Sequence, residues 1–401
     1  MNAVSPDTET LEEILTRGVE RVYPSKEFLA RKLMAGEPVR LYLGVDPTGP
    51  TLHLGHAVIL LKLSALQKLG HEVVLLVGDF TGMVGDPTDK TATRVRLTSS
   101  QVLANAKRYK KQASRFLSFR GENPAKVLYN SKWLGKLKFD QVLDLAAHFT
   151  VQQLIERDMF QARLKEGKPI YLHEFLYPLL QGYDSVGMDV DGEIGGNDQT
   201  FNMLAGRTLI KQLKNKEKFV IAMKLLVDPS GKKMGKTEGN MITFDDTPED
   251  MFGKVMSWSD GMIMPAFEIT TRLPLAEVRS IGEALASGVL HPRDAKLRLA
   301  REIVALFAGK RAGSAAAQAF QQAFREGGVP GNIIKKAVTV GTKLVDALAG
   351  EFGSKSELRR LFAAGAISEI GGEKIIDEGM LVTRSMKLRI GKHRFVEIAL
   401  S

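Results

Sequence analysis

One segment of this 401-residue chain leaves few folds open. Arg40-Leu-Tyr-Leu-Gly-Val45 is a short β-like run, and Asp46-Pro-Thr-Gly-Pro50 behind it can only turn. From about Leu54 to Leu69, the apolar residues Ile59, Leu60, Leu63, Leu66 and Leu69 recur at the three- and four-residue steps of a helix. Glu72–Val77 is then largely apolar, as a strand covered on both faces must be. Strand, helix and strand at this spacing predict a βαβ unit in a parallel sheet.

Further on, the pattern predicts a helix over Leu172–Asp184, a strand over Val190–Ile194 and a turn at Gly195-Gly196. Pro178 predicts that this helix starts near Tyr177 or bends there. Residues 246–324 read as mainly helical, most clearly over Asp294–Phe307. Gly327-Gly-Val-Pro-Gly331 is the strongest linker signal, and the segment beyond it is of small-domain size. The length itself calls for two or three cores.

Lys and Arg outnumber Asp and Glu by 56 to 46, for a net charge of +10. That surplus favours nucleic acid or phosphorylated ligands, although many plain soluble proteins share it. The absence of cysteine excludes disulfides and thiolate metal sites and suits a reducing cytosol. The acidic N-terminal helix pattern (Asp7, Glu9, Glu12, Glu13) is unlike a signal peptide. No apolar run reaches the ~20 residues of a membrane helix. The expectation is a cytoplasmic protein with no membrane partner.

Three clusters carry chemistry. His53-Leu-Gly-His56 stands where the first strand and its turn enter a helix, whose exposed N–H groups and dipole attract anions. Its two histidines share a helical face and could donate to nucleotide phosphates; a polar cap is the plain alternative. A metal site would need a carboxylate at ligand spacing, and none is there. Gly231-Lys-Lys-Met-Gly-Lys-Thr237 brings Lys233 and Lys236, point charges able to swing onto a polyphosphate, or simply a solvated basic loop. The same two readings apply to Asp86-Pro-Thr-Asp-Lys90 through Arg94.

Taken together and in order, Asp46-Pro-Thr48, His53–His56, Gly195-Gly-Asn-Asp-Gln199 and Lys233–Thr237 resemble the class I aminoacyl-tRNA synthetases. Their HIGH signature matches His53–His56 with Leu for Ile. Their KMSKS signature matches Lys233–Thr237, with Gly235 and Thr237 where serines are usual and both lysines kept. Arg40–Thr48 and Glu174-Phe-Leu-Tyr-Pro-Leu-Leu-Gln-Gly-Tyr-Asp184 resemble the tyrosyl-tRNA synthetases in particular. Tyr177, Gln181 and Asp184 also form one polar stripe on an otherwise apolar helix, a pattern that a solvated face would share.

The resemblance implies an α/β fold: a Rossmann-like parallel-sheet catalytic domain over 1–228 with the HIGH-type motif at 47–56. It implies a signature loop at 233–237 and a helical anticodon-recognising domain within 229–326. A linker at 327–332 and a small α+β RNA-binding domain over 333–401 would complete the chain. It further implies that Tyr42 and Asp184 bond a substrate phenol, that Tyr177, Gln181 and Asp86 hold the ammonium group, and that Gln199 lies near the carboxylate. ATP would meet Gly44, Asp46, Gly195, Gly196, Asp198 and Lys236. Its phosphates would meet the catalytic set Thr48, His53, His56, Lys233, Lys236, Lys90 and Arg94. Mg²⁺ is expected as the companion of ATP, with no protein ligand. Tyrosine would be activated to the adenylate and passed to tRNA(Tyr), by a chain that forms homodimers.

In the tail, Ser354 caps a helical pattern with Glu357 at the capping-box position, and Lys355, Arg359 and Arg360 give it a basic side. Lys387–Val396 alternates into a basic strand. Such charge on a small module suits RNA backbone binding, and the tail resembles the RNA-binding domain named after ribosomal protein S four. Tryptophanyl enzymes are the nearest alternative; their substrate's indole N–H, a donor only, needs different partners. A small nucleotidyltransferase would not need the tail. A silent RNA-binding paralogue would be expected to have lost histidines or lysines at the nucleotide site.

Overall fold

The first strands form as their patterning requires, within a six-stranded sheet. It comprises β1 (Val19–Tyr23), β2 (Arg40–Val45), β3 (Glu72–Val77), β4 (Lys126–Tyr129), β5 (Gly192–Gly196) and β6 (Phe219–Met223). The order is β1-β6-β5-β2-β3-β4, parallel throughout except for β1, which runs antiparallel to β6. β2 and β3 pair in register from Arg40 opposite Glu72 to Val45 opposite Val77, joined by the helix Leu54–Lys68. The computed structural model describes residues 5–88, 97–227, 241–325, 334–350, 352–370, 372–391 and 394–400.

Two local signals are overridden by packing. The helix predicted over Leu172–Asp184 runs from Leu172 to Met188 and does not start near Tyr177; Pro178 lies inside it. Its next turns lie against the helix Thr200–Lys214: an added side-chain carbon at Gly182 would sit 3.0 Å from the Gly206 backbone nitrogen. Burial along that contact outweighs the missing N–H of the proline. Gly195 and Gly196, read as a turn, are instead the last residues of β5, paired with Ala222 and Met223; the turn comes after them, at Asn197–Gln199.

Two compact units are distinguishable. One holds the six-stranded sheet together with residues 243–245 and 264–279; the other takes 246–263 and the described residues from 280 onward. In the second unit the helices Pro248–Met256, Pro292–Ala308 and Lys310–Arg325 pack together, with Phe252 and Phe320 rings 5.1 Å apart. A four-stranded sheet comes next, of β7 (Ile334–Val338), β8 (Ile367–Glu369), β9 (Met386–Ile390) and β10 (Arg394–Leu400), in the order β7-β10-β9-β8. Leu344, Leu348, Leu358 and Phe362 from its two helices meet Leu388, Val396 and Ile398 in one core. The helix Lys355–Ala363 starts at Ser354, whose hydroxyl accepts from the Glu357 N–H at 3.2 Å, in agreement with the capping pattern of the sequence. The run Lys387–Val396, read as one strand, is two: β9 and β10 pair antiparallel on either side of Gly391, whose φ of +66° a strand interior cannot hold. The predicted linker 327–332 lies outside the described residues.

Gly192 of β5, paired with Phe219 of β6, has no room for a side chain. A side-chain carbon there would lie 2.1 Å from the buried Phe219 ring. Gly192→Ala is expected to destabilise the first unit by about 1–3 kcal/mol, the usual cost of overpacking, with part regained in Gly192→Ala/Phe219→Leu. Urea unfolding midpoints of the two variants against the parent check this.

Candidate active site

The strand order defines where a ligand can enter. From β2 the chain proceeds outward through β3 and β4, whereas β5 and β6 lie on β2's other side. At such a reversal the loops leaving the carboxyl ends of the two central strands part and open a crevice. Asp46 and Thr48 leave β2 at that edge; Gly195 and Gly196 end β5 there, followed by Asp198 and Gln199.

The turn after β2 feeds the helix Leu54–Lys68, with His53 as its cap. The His53 backbone N–H donates to His56 Nδ1 at 3.1 Å, and the two rings stand 3.9 Å apart. Burial first, and the neighbouring His53 second, push the His56 imidazole well below its ordinary range. It is therefore neutral, and because Nδ1 accepts, Nε2 carries the proton and is a donor. A neutral donor and a helix N-terminus together suit an anion.

Three carboxylates organise the rest. Asp46 accepts from the Thr81 hydroxyl at 2.6 Å and from the Tyr177 hydroxyl at 2.8 Å. Asp86 accepts from Gln199 Nε2 at 2.8 Å and from the Thr88 N–H at 2.9 Å, and Arg157 reaches Thr88 Oγ1 at 2.9 Å. Asp184 is 2% exposed and accepts from Trp133 Nε1 at 2.7 Å and Asn130 Nδ2 at 3.2 Å. Asn130 is itself fixed by the Phe80 N–H at 2.9 Å and by Thr81 Oγ1 at 3.0 Å. Burial dominates at Asp184 and holds its carboxyl well above the usual carboxylate range, although both donors pull it down. Tyr177 is raised by burial and then by the charge of Asp46, so it stays a phenol and a donor.

The predicted stripe on the helix Leu172–Met188 therefore reaches four partners: Tyr177 to Asp46, Gln181 to Glu193 Oε1 at 3.2 Å, and Asp184 to Trp133 and Asn130. Tyr42 is wholly buried beside Val74, Leu76, Met188 and Val190, with its hydroxyl 3.1 Å from Ser185 Oγ. Gly44 and Thr48 are exposed, and Asp198 is half-buried. Lys90, Arg94, Lys233 and Lys236 lie outside the described residues. In the second unit Lys355 pairs with Asp346 at 2.7 Å and Arg359 with Glu378 at 3.1 Å; with Arg360 they remain exposed.

Asn130, Trp133, Arg157, Ser185, Glu193 and Lys218 join the site without having stood out in the sequence. A signal existed for the first two, because Asn130-Ser-Lys-Trp133 directly succeeds a strand and so falls at the ligand edge. None existed for Lys218, which ends a basic stretch (Lys211, Lys214, Lys216) that looks solvated yet is itself wholly buried.

Because Asp184 binds its proton more tightly folded than unfolded, its contribution to stability is fully present below its unfolded value, about pH 4, and is lost as pH rises through the higher folded value. Asp184→Asn should flatten that decline, so the stability difference between variant and parent shifts in the variant's favour from about pH 4 to pH 7. Thermal melts across that range measure it.

Residues 34–325 match the family of class I tRNA synthetases (W and Y). The tyrosine–tRNA ligase of Moorella thermoacetica is 42% identical over 394 residues, covering 96% of this chain and 94% of that one. The tyrosine–tRNA ligase 2 of Vibrio cholerae is 42% identical over 392 residues, covering 96% and 97%. In fold, the chain is similar to the C-terminally truncated mitochondrial tyrosyl-tRNA synthetase of Coccidioides posadasii, with TM-score 0.63, 24% identity, and coverage of 78% of this chain and 92% of that one. It is similar also to the Archaeoglobus fulgidus tyrosyl-tRNA synthetase crystallised with L-tyrosine, with TM-score 0.60, 23% identity, and coverage of 77% and 99%. The crevice, the histidine pair at its helix and the near full-length likeness agree: the chain belongs to the tyrosyl-tRNA synthetase family of class I aminoacyl-tRNA ligases.

Proposed function

We infer that this protein is a tyrosine–tRNA ligase: it activates L-tyrosine with ATP to tyrosyl-adenylate and pyrophosphate, then transfers the tyrosyl group to the terminal ribose of tRNA(Tyr). The observation that carries the tyrosine reading is Asp184, a buried carboxyl group held by Trp133 and Asn130 and electrostatically coupled to Tyr42. An acceptor and a phenol donor together match a hydroxyl, which is both. Phenylalanine would leave them unpaired and be rejected. Tyr177, Gln181 and Asp86 then receive the ammonium group, and Gln199 lies by the carboxylate.

ATP lies along Gly44, Asp46, Gly195, Gly196 and Asp198, with its phosphates toward Thr48, His53, His56, Lys233 and Lys236 and toward Lys90 and Arg94. The tyrosine carboxylate attacks the α-phosphate and pyrophosphate leaves. The nucleophile is already ionised, so no general base is needed. The residues act by alignment and by placing donors where phosphate charge develops. Mg²⁺ arrives on the triphosphate; among the described residues no group of three or more His, Cys, Asp or Glu gathers to hold a metal.

Residues 1–228 form the catalytic part in this reading and 229–326 the helical anticodon-recognising part. The module over 333–401 contacts the tRNA backbone through Lys355, Arg359 and Arg360. The exposed ion pairs of Lys355 and Arg359 contribute little and exchange readily for phosphate. In this reading the protein works in the cytoplasm, where tRNA is charged. Among the described residues no helix is long and apolar enough to cross a membrane.

We also assign a homodimer through the first unit. Phe139, Leu143, Val151, Leu164 and Leu172 are large, apolar and about half exposed or more within one stretch of that unit, a surplus that marks a protein contact. Light scattering should give twice the chain mass for the parent, and Phe139→Asp/Leu172→Asp should give the monomer mass.

ATP–pyrophosphate exchange, with each amino acid offered separately, tests the activity. Tyrosine alone should support it. Exchange with tryptophan would overturn the pocket assignment, and none at all from folded protein would overturn the enzyme reading.

A further inference from the structure

Behind the amino-acid pocket lies a buried ion pair that takes no part in the activation chemistry. Lys218 and Glu193 are 0% and 2% exposed and are in direct contact. Lys218 Nζ also donates to Ser185 Oγ at 2.7 Å, and Glu193 Oε1 accepts from Gln181 Nε2 at 3.2 Å. Ser185 Oγ is in turn 3.1 Å from the Tyr42 hydroxyl. The pair thus reaches the two residues assigned to opposite ends of the substrate, Gln181 directly from Glu193 and Tyr42 both through Ser185 and from Glu193. The space for this meeting is kept open by Gly206, where a side-chain carbon would lie 2.6 Å from both Lys218 Nζ and Ser185 Oγ.

The chemistry of the groups gives the network a direction. An ammonium only donates, so it takes an acceptor position on Ser185 Oγ and leaves the serine proton to turn toward Tyr42. Tyr42 then need not spend its own proton on Ser185; the buried Glu193 carboxylate lies on its other side and draws that proton, so the pair sets which way the hydroxyl faces. On the other arm a carboxylate only accepts, so Gln181 spends an N–H on Glu193 and keeps its carbonyl oxygen free to face an ammonium group. Burying two charges is costly, and a neutral pair of similar volume would hold these strands as well or better. The orientation of Tyr42 and Gln181 is what the charges add.

We propose that the Lys218–Glu193 pair is the positioning element of the amino-acid pocket. Through Ser185 and Glu193 it sets the direction of the Tyr42 hydroxyl that meets a phenol, and through Gln181 it sets the acceptor that meets the ammonium group. This rests on the tyrosine–tRNA ligase reading.

The test is pyrophosphate exchange with tyrosine and with phenylalanine, comparing the parent, the double variant Glu193→Gln/Lys218→Met and Ser185→Ala, each first shown to melt cooperatively. The double variant removes both charges and keeps the volume. Ser185→Ala cuts the Tyr42 arm alone and leaves the ion pair, so it carries the test if the double variant does not fold. The expected result is a fall of about tenfold or more in the tyrosine-over-phenylalanine ratio of kcat/KM, from the loss of oriented hydrogen bonds. KM for tyrosine should rise and KM for ATP should hold. A folded variant of either kind that keeps the parental ratio would overturn the proposal, since a pair that only fastens strands moves the melting temperature and not the selectivity. A parent that activates no tyrosine would instead sink the ligase reading, and this inference with it.

Discussion

The central strand β2 is the constraint on which the first unit depends. It is paired on both sides, with β3 along its whole length and with β5 at Leu41 and Tyr42. Covered on both faces, it must be apolar, yet it has to deliver polar groups to its carboxyl end. Leu41, Leu43 and Val45 point one way and Tyr42 and Gly44 the other, so a single strand fills the core and supplies one hydroxyl to the helix Leu172–Met188. The strand order reverses beside it, and the crevice is a consequence of that reversal. Asp46, Thr48 and His53 reach the crevice because they are the next residues of the chain.

The crevice is costly to build. Asp184 and Tyr177 are buried, and burial works against their ionised forms. What makes the arrangement tolerable is that each polar atom is met by a donor or acceptor of the opposite kind. Asn130 is the joint of this network: its carbonyl oxygen takes the Phe80 N–H and its amide reaches Thr81 and Asp184. Thr81 passes the chain on to Asp46, and Asp46 to Tyr177. Two carboxylates on different elements are thereby fixed by one asparagine at the end of β4, and neither can move without disturbing the other.

Much of this is legible in the sequence where the signal is local. The runs Arg40–Val45 and Glu72–Val77 and the helix between them are set by hydrophobic period, and the structure reproduces both strand boundaries. The stripe Tyr177, Gln181 and Asp184 is visible for the same reason. The misreadings occur where a long-range contact decides. The helix runs through Pro178, which lies buried inside it, instead of starting there, and Gly195-Gly196 extend a strand because β6 offers them partners. Lys387–Val396 has the alternation of one strand, and the left-handed Gly391 ends the first of the two strands it contains. Lys218 is hidden most completely, since nothing in a run of lysines tells which one turns inward.

That last case bears on how selectivity is encoded. The residues assigned to the substrate, Tyr42, Gln181 and Asp184, fall on recognisable motifs because their positions relative to β2 are fixed by the fold. Their hydrogen-bond directions are not fixed by position. A hydroxyl and an amide can each be turned either way, and only a partner that is strictly donor or strictly acceptor settles the choice. Trp133 does so for Asp184, as a pure donor; Lys218 and Glu193, strictly donor and strictly acceptor, do so for Ser185 and Gln181. These partners come from β4's end, β5 and the residue before β6, far apart in sequence and joined only by the sheet. The pocket's shape can therefore be read from contiguous motifs, while its polarity is set by single residues that the fold brings in from elsewhere.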